Sequence, residues 1–493
     1  MWVDLVAGLQ AILDPQVLLL LAAGVGLGAV FGALPGLTAT MGVAVLTPLT
    51  FWLSAEQGLA MLLGIYCGAI PAGGAPAILI NVPGTPASIA TAWDGFPLAR
   101  AGKGGLALGV NALASGIGQL ASLLFLAVAA FPIAEFALNF GPAEYFGLAL
   151  FGISLMAGVS GERVLQGLLA GLLGLALATV GLDPMTAYPR YTFGVSAFLD
   201  GISFVPVMIG LFGFAEVLTQ IAMGSRRLAA AEGDFGRVLP TGGEWRRMLP
   251  GLATGAGLGT LVGAVPAAGG DIGSVIAWEQ ARRLSRRKEQ FGKGSLEGLA
   301  ASCSAANAAI GGAMTTMLTL GIPGDAVSAI LIGALLIHGV QPGPLLFRND
   351  RDFVFSLVLL MAFAAVATML LGLLGARPLA KLLKIPQPWL WAGVTLFGIV
   401  GAYALNNAVV DVWVMFAAGI LGFLLRLAQV PLGPLVLGLI LGPMMESNLR
   451  RALILSRGDW SEVLMRPLVL VFLALTLVSL VLPFIRRRKA AAG

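Results

Sequence analysis

Long apolar stretches punctuated by short polar ones run the length of the chain. The clearest cover residues 17–34, 106–131, 164–180, 353–374, 412–427 and 467–484. A helix needs about 20 apolar residues to cross the hydrocarbon of a bilayer. Counted with shorter, glycine-interrupted runs, the pattern predicts about twelve transmembrane helices. Several runs are broken by Gly and Pro, and the breaks come in pairs. GVGLGAVFGALPG (24–36) is followed by ILINVPGTPAS (78–88), and GAGLGTLVGAVPA (255–267) by LTLGIPGDAVS (318–328). Main chain that is broken at membrane depth is tolerated only where protein buries it or where it lines a polar cavity. Matching breaks in two halves of a chain are the best sequence pointer to a transporter's binding site.

Those breaks define an internal repeat. Pro35 and Pro266 stand 231 positions apart, and Pro83 and Pro323 stand 240 apart. Residues 24–42 laid on 255–273 agree at 8 of 19 positions, well beyond what a Gly- and Ala-rich composition gives by chance. The nine extra residues of the second half fall between its two breaks. We therefore read two homologous repeats, 1–235 and 236–493, joined through a charged, glycine-containing linker around 225–247.

Loop charge orients the repeats. After the first break, the early half carries FWLSAEQG, without Lys or Arg, while the late half carries ARRLSRRKEQFGKG. After the second break the bias reverses, ARAGKGG in the early half against the balanced FRNDRD in the late half. Equivalent loops of opposite Lys/Arg bias are expected on opposite sides of the membrane, so the repeats are predicted to have inverted topology. The same rule puts residues 282–293 and the basic C-terminal tail 486–489 in the cytoplasm.

Composition agrees. Of 493 residues, 58% are hydrophobic and 11% charged, against roughly 25% charged in an ordinary soluble protein, and the mean hydropathy is +0.94. The fold class predicted is an all-α polytopic membrane protein with Gly/Pro-broken helical hairpins. The net charge of +5 sits in loops, where topology requires it, and is no nucleic-acid signal. The N-terminal MWVDLVAGLQAILD lacks the basic region of a cleavable signal peptide, so the first apolar run is expected to be retained. Cys67 and Cys303 are the only cysteines, and both lie in apolar runs, which implies neither a disulfide nor a metal framework.

Candidate chemistry gathers at the breaks. Pro83 and Pro86 remove main-chain donors, and Gly84 allows backbone geometry closed to other residues. Thr85 or Ser88 could cap the next helix and aim its first amides back into the break, where an anion is favoured. Asn81, Thr85, Ser88 and Thr91 add polar side chains able to ligate a carboxylate or, through oxygen, Na⁺. The second half offers Thr315, Thr316, Thr319, Pro323, Gly324, Asp325 and Ser328. Two roles are open to Asp325 and to Asp271: an intramembrane group that neutralises a cation or carries a proton, or a helix cap near the interface. Asn307 is either a clasp between helices or a lining residue of the cavity. His338, the only histidine, is expected near an interface, and Asp94-Gly95-Phe96-Pro97 is expected to turn at the membrane surface. Glu56, Glu279 and Glu297 are expected in loops or near helix ends. The site predicted from the residues therefore comprises the tips Pro35, Gly36, Pro83, Gly84, Pro266, Pro323 and Gly324. Around them stand Asn81, Thr85, Ser88, Asp271, Asn307, Asp325 and Ser328. There is no Walker A sequence, His cluster or nucleophilic triad, so an enzyme is not expected. Transport work would come from an ion gradient, or flow would be passive.

At these motifs the chain resembles the large membrane subunit of the tripartite tricarboxylate transporters. The matching stretches are GALPGL with TPLTF (32–51), AILINVPGTPASIATAWDGFPLARAG (77–102), FGKGSLEGLA (291–300) and LTLGIPGDAVSAILIGALLIHGVQPGP (318–344). The resemblance implies a bacterial inner-membrane secondary transporter for citrate-like di- or tricarboxylates, driven by Na⁺ or H⁺. It also implies two partners: a small membrane subunit and a periplasmic solute-binding protein that delivers the substrate. Two departures stand out. The aromatic-Gly-Gly-Ser run usual before AIL is here Pro71-Ala72-Gly73-Gly74. The acidic residue and Asn-Asn pair usual in the second half are replaced by Cys303 and Ala306-Asn307. Two polar ligands of the usual site are thus missing. Rival readings are the large subunit of another binding-protein-dependent carboxylate transporter, and an ion channel with the broken segments as its filter.

Overall fold

A computed structural model describes residues 2–34, 36–159, 164–223, 236–266, 268–375 and 387–491. Helix dominates, for the reason the apolar runs suggest: in hydrocarbon a segment must pair its own main-chain groups, and a helix does so locally. Each of the six clearest apolar runs falls on a helix: Pro15–Ala33, Gly104–Ala137, Val164–Ala178, Arg351–Leu374, Val409–Leu427 and Pro467–Ala491. Among the described residues, seven helical stretches are long and apolar enough to cross a membrane, and five shorter apolar helices accompany them. The only strands among these residues are Gly181–Leu182 and Pro189–Arg190, paired antiparallel. This is an all-α, multi-pass membrane protein.

Helix starts follow capping chemistry. Asp14 accepts from Gln16 N at 2.9 Å in front of Pro15, the first residue of its helix. Ser54 with Gln57, and Thr241 with Glu244, form reciprocal capping boxes that satisfy otherwise orphaned N–H groups. The second of these starts the helix Gly242–Gly263, which takes up the end of the expected linker. Residues 225–235 of that linker lie outside the described residues.

The chain divides into two compact units, Met1–Ala134 with Thr219–Phe397, and Glu135–Leu218 with Gly398–Gly493. Each unit draws on both halves of the sequence, and the first contains all four breaks.

Within the first unit, the same glycine packing occurs twice. Gly24, Gly28 and Gly32 of helix Pro15–Ala33 lie against Met61, Ile65 and Ala69 of helix Ala55–Ala72. Gly255, Gly259 and Gly263 of helix Gly242–Gly263 lie against Ala301, Ala305 and Ala309 of helix Leu296–Leu320. A Cβ at any of the six would overlap the facing main-chain carbonyl oxygen. Each glycine row is therefore what lets two backbones touch, the small-xxx-small solution to helix packing in lipid. The glycines correspond at the 231 offset and their partners at the 240 offset, so the repeat seen in sequence is also a repeat of contacts.

Loops pair across the halves. A Cβ at Gly58, after the first break of the early half, would stand 2.7 Å from His338 Nε2, after the second break of the late half. The His338 Nε2 to Thr50 Oγ1 distance is 3.3 Å. Likewise Leu98 and Lys103, after the second break of the early half, share one cavity with residues 284–287, after the first break of the late half.

The second unit packs helix Val164–Ala178 on Gly433–Leu455, with Gly174 against the Leu435 carbonyl and Gly438 against that of Gly171. Its polar end is an ion-pair network. Arg190 meets Glu446 at 2.7 Å, and Arg450 meets both Asp183 (2.8 Å) and Glu446 (2.7 Å). The main-chain N–H groups of Thr186 and Met185, then the Arg450 charge, hold the Asp183 carboxyl well below the usual carboxylate range.

The glycine rows yield a paired expectation. Gly28→Ala pushes a methyl into the Ile65 carbonyl and is expected to destabilise the detergent-solubilised protein by about 1–3 kcal/mol, as overpacking does, lowering its thermal midpoint. Gly26→Ala, with nothing within 4 Å of its Cβ position, is expected to leave the midpoint unchanged or raise it slightly. Equal shifts in the two variants would rule out close packing as the reason for the row.

Candidate functional site

Helix Pro15–Ala33 stops at Leu34, and the chain resumes as helix Ala39–Leu46, whose start Thr38 caps by accepting from Met41 N at 3.1 Å. Between them Gly36 has φ +94°, a left-handed conformation that few residues but glycine adopt readily. Pro35 lies outside the described residues. The second break opens where helix Gly74–Ile80 ends at Asn81 (φ 56°, ψ 31°). Gly84 follows, its N–H donating to the Gly73 carbonyl at 3.1 Å. A Cβ at Gly84 would overlap the carbonyl oxygen of Gly32, at the end of the first broken helix. The two breaks of the early half are thus in contact.

The late half repeats the arrangement. Helix Gly242–Gly263 ends before the buried Pro266, and the chain turns helical again at Gly269. Helix Leu296–Leu320 ends at Gly321 (φ 70°), and Pro323-Gly324 leads to Asp325. A Cβ at Gly324 would stand 2.5 Å from Ala313 Cα and 2.8 Å from the Gly263 carbonyl oxygen. Here too the breaks touch. At the 240 offset Asn81 corresponds to Gly321, Thr85 to Asp325 and Ser88 to Ser328.

The two halves differ in charge at these equivalent places. In the early half Thr85 Oγ1 and Ser88 Oγ lie 2.9 Å apart, buried, with no carboxylate in the pair. Neither side chain caps the following helix, contrary to the sequence expectation; the two hydroxyls bond each other instead. In the late half Asp325 is the cap: Ser328 N donates to its Oδ1 at 2.7 Å, and Asp325 N donates to Ser328 Oγ at 2.9 Å. Its other carboxylate oxygen accepts from the Tyr66 hydroxyl, which comes from the early half. Asp271 is close by and exposed: the Cβ position at Gly269 lies 2.7 Å from Asp271 Oδ1 and 3.6 Å from Asp325 Cβ. Two carboxylates thus stand together at the late pair of breaks, whereas the early pair gathers hydroxyls, main chain and the uncharged Gln220 amide beside Gly36. Among the described residues no group of three His, Cys, Asp or Glu forms a metal cluster.

Other predicted residues take different places. Asn81 is exposed, and its left-handed backbone, shared with Gly321, ends a helix. Asn307 is buried on helix Leu296–Leu320, next to Ala306, whose carbonyl lies against Gly270. Its side chain turns away from that break, Nδ2 donating to Ser115 Oγ at 2.8 Å and to the Cys303 carbonyl at 2.9 Å. Thr91 lies against Cys303, Oγ1 to Sγ 3.5 Å. Asp94 corrects a sequence expectation: no turn forms there. It sits in helix Ile89–Leu98, fully buried. Its Oδ1 accepts from the N–H groups of Gly292 (2.9 Å), Gly294 (3.1 Å) and Ser295 (2.7 Å), and its Oδ2 from Trp278 Nε1 (2.7 Å). The acid thereby pins the basic loop of the late half.

Tyr66, Ser115 and Gln119 were not anticipated. Gln119 Nε2 donates to Cys67 Sγ at 2.8 Å, and Asn111 Nδ2 to the Pro71 carbonyl at 2.9 Å. Asn111, Ser115, Gln119 and Ser122 recur at helical spacing through the apolar helix Gly104–Ala137 and are all buried. That polar stripe was the available signal.

Comparison with known proteins follows this geometry. The family described as the tripartite tricarboxylate transporter TctA family matches residues 18–437. A curated relative, an uncharacterized 52.8 kDa protein in the TAR-I ttuC' 3' region of Agrobacterium vitis, is 36% identical over 489 residues, 99% of this chain and 97% of the relative. An uncharacterized protein in the TAR-II ttuC' 3' region of the same organism is 34% identical over 234 residues, 47% of this chain and 97% of that relative. No solved structure matches the chain.

Removing the Asp94 acceptor leaves three main-chain N–H groups and an indole N–H without their partner, at about 1–3 kcal/mol for each that stays buried. Asp94→Ala is therefore expected to free the loop, with trypsin cutting faster at Arg286, Arg287, Lys288 and Lys293. An unchanged digestion rate would show that Asp94 does not hold it.

Proposed function

Because the chain belongs to the tripartite tricarboxylate transporter TctA family, we propose that it imports a citrate-like di- or tricarboxylate by ion-coupled alternating access. It would act as the large subunit in a bacterial inner membrane, with its C-terminal tail in the cytoplasm. Its partners would be a small membrane subunit and a periplasmic solute-binding protein that hands over the substrate. The architecture proposed is about twelve transmembrane helices in two inverted repeats. The pairing of loop 50–58 with His338, and of Lys103 with residues 284–287, supports inversion. In parallel repeats, loops after like-numbered breaks would be neighbours instead.

The observation that carries the reading is the contact of the two breaks in each half, Gly84 on Gly32 and Gly324 on Gly263. Unwound main chain gathered in this way offers amides and carbonyls at membrane depth to a ligand and its coupling ion. The charge difference supports a division of labour. The early break, with Gly36, Pro83, Gly84, Thr85 and Ser88, would receive the carboxylate. The late break, with Pro266, Asp271, Pro323, Gly324, Asp325 and Ser328, would receive Na⁺ or H⁺. A carboxylate ligand beside Asp271 and Asp325 meets like charge, so its binding is favoured once a cation has neutralised them. That preference is the physical basis of coupling.

Uptake of labelled citrate into proteoliposomes holding both membrane subunits tests this. Accumulation is expected to need the binding protein and a Na⁺ or proton gradient; saturation-free conductance would overturn the reading. Asp271→Asn keeps the shape and removes the charge. It is expected to weaken cation activation by about tenfold, the equivalent of ~1.4 kcal/mol, at unchanged protein level. An unaltered cation dependence would remove Asp271 from the coupling site.

A further inference from the structure

A cavity of about 640 Å³ opens between the start of helix Gly242–Gly263, the loop after Leu284 and the turn at Lys103. Lys103, Arg246, Arg247, Arg286 and Arg287 line it. None of these five forms an ion pair with a carboxylate among the described residues, whereas Arg282 and Arg283 just upstream are both paired with Glu279. The cavity's two acids are already engaged. Glu244 is bound by Arg237 and by Thr241, and Glu297 accepts from Ser285 Oγ at 2.6 Å. Five cations thus face a shared volume in which Glu297 is the one acid without a cationic partner among the described residues, and the excess positive charge attracts an anion.

The rim says which anion. Leu284 lines the cavity and is 67% exposed, and Leu239 and Leu249 nearby in sequence are 62% and 44% exposed. Trp245, on the cavity helix itself, packs half-buried against the core, and Trp93, 37% exposed, stacks edge-on against the buried Trp278 at 4.8 Å, placing indole rings on this end of the unit. Indoles and basic side chains mark the level of lipid headgroups. Leucines open to the surroundings beside them suit acyl chains. A soluble anion would gain nothing from those leucines.

We propose that this cavity binds the phosphate headgroup of an anionic phospholipid, with Arg246 and Arg247 on one wall and Arg286 and Arg287 on the other. The lipid would bridge the start of helix Gly242–Gly263 to the loop that Asp94 pins, tying the two broken elements of the late half at their outer ends. The inference rests on the membrane location of the chain and not on its substrate. It therefore stands or falls separately from carboxylate uptake.

The test uses the full chain in phosphatidylcholine nanodiscs, titrated with phosphatidylglycerol and read by native mass spectrometry and thermal midpoint. Phosphatidylglycerol is expected to be retained and to raise the midpoint. The double variant Arg246→Gln/Arg286→Gln is expected to weaken retention about 30-fold, since each basic residue near an anionic surface contributes about 1 kcal/mol. Arg246→Lys/Arg286→Lys is expected to restore most of it. A glutamine variant whose midpoint in pure phosphatidylcholine matches the wild type shows that folding is intact. Equal retention by the wild type and that variant would overturn the proposal. Inorganic phosphate raising the midpoint as much as phosphatidylglycerol does would overturn the lipid as source and assign the cavity to free phosphate.

Discussion

In hydrocarbon a main-chain N–H or C=O without a partner costs several kcal/mol, and this chain interrupts its helices four times. Everything else in the first unit can be understood as a response to that cost. The interruptions are not scattered: Gly84 lies on the end of the first broken helix and Gly324 on the end of the third. Contact so close requires that the helices carrying the breaks lie backbone to backbone. The rows Gly24-Gly28-Gly32 and Gly255-Gly259-Gly263 provide this. Glycine is weak in an isolated helix, by about 1 kcal/mol relative to alanine. Its abundance here reflects what the packing requires and overrides local propensity.

That dependence explains why some of the structure was legible in the sequence and some was not. The apolar runs and the two repeat offsets are local or additive signals, and the helices and the duplicated glycine contacts follow them. The partners of the glycine rows were not visible, since Met61, Ile65 and Ala69 on one side and Ala301, Ala305 and Ala309 on the other share no chemistry beyond a bare carbonyl. Asn81 looks like a ligand when its own segment is read alone. Laid on Gly321 at the repeat offset, it looks like what the backbone makes it, a left-handed helix end. Asp94-Gly95-Phe96-Pro97 has the composition of a surface turn. Transmembrane helices tolerate Gly and Pro better than soluble ones, and Asp94 is needed where 292–295 must be held. Tyr66 is a single polar residue in an apolar run, and although Ser115 and Gln119 belong to the polar stripe of their helix, the partners of Tyr66 and Ser115 lie 259 and 192 positions away. No local pattern encodes such pairs.

The seam those residues form bears on motion. Tyr66 to Asp325, Thr91 to Cys303 and Ser115 to Asn307 each join the early half to the late half. By contrast, the glycine rows hold together helices of the same half. In a packed apolar interior directional hydrogen bonds select one arrangement over its neighbours, while glycine contacts keep each half rigid within itself. Changes between outward- and inward-facing states would therefore be borne by the seam, and the glycine-packed pairs would move as bodies.

Asp94 also carries a carboxylate across, to Trp278 and the N–H groups of 292–295, but of these links the Tyr66–Asp325 pair is the one in which a carboxylate stands at a break. In the proposed cycle, a cation or proton arriving at Asp325 and Asp271 would change the charge that the Tyr66 hydroxyl is bonded to. It would therefore alter the strength of a bond between the halves, since hydrogen bonds to an ionised acceptor are roughly twice as strong as those to a neutral one. In that cycle, binding of the coupling ion and the preference between two arrangements of the halves would be linked through this side-chain contact. A ligand shifts a conformational equilibrium only by its differential affinity for the two states. In the proposed cycle that differential is located at Asp325, and the carboxylate at the early break senses it through the helix that carries Tyr66.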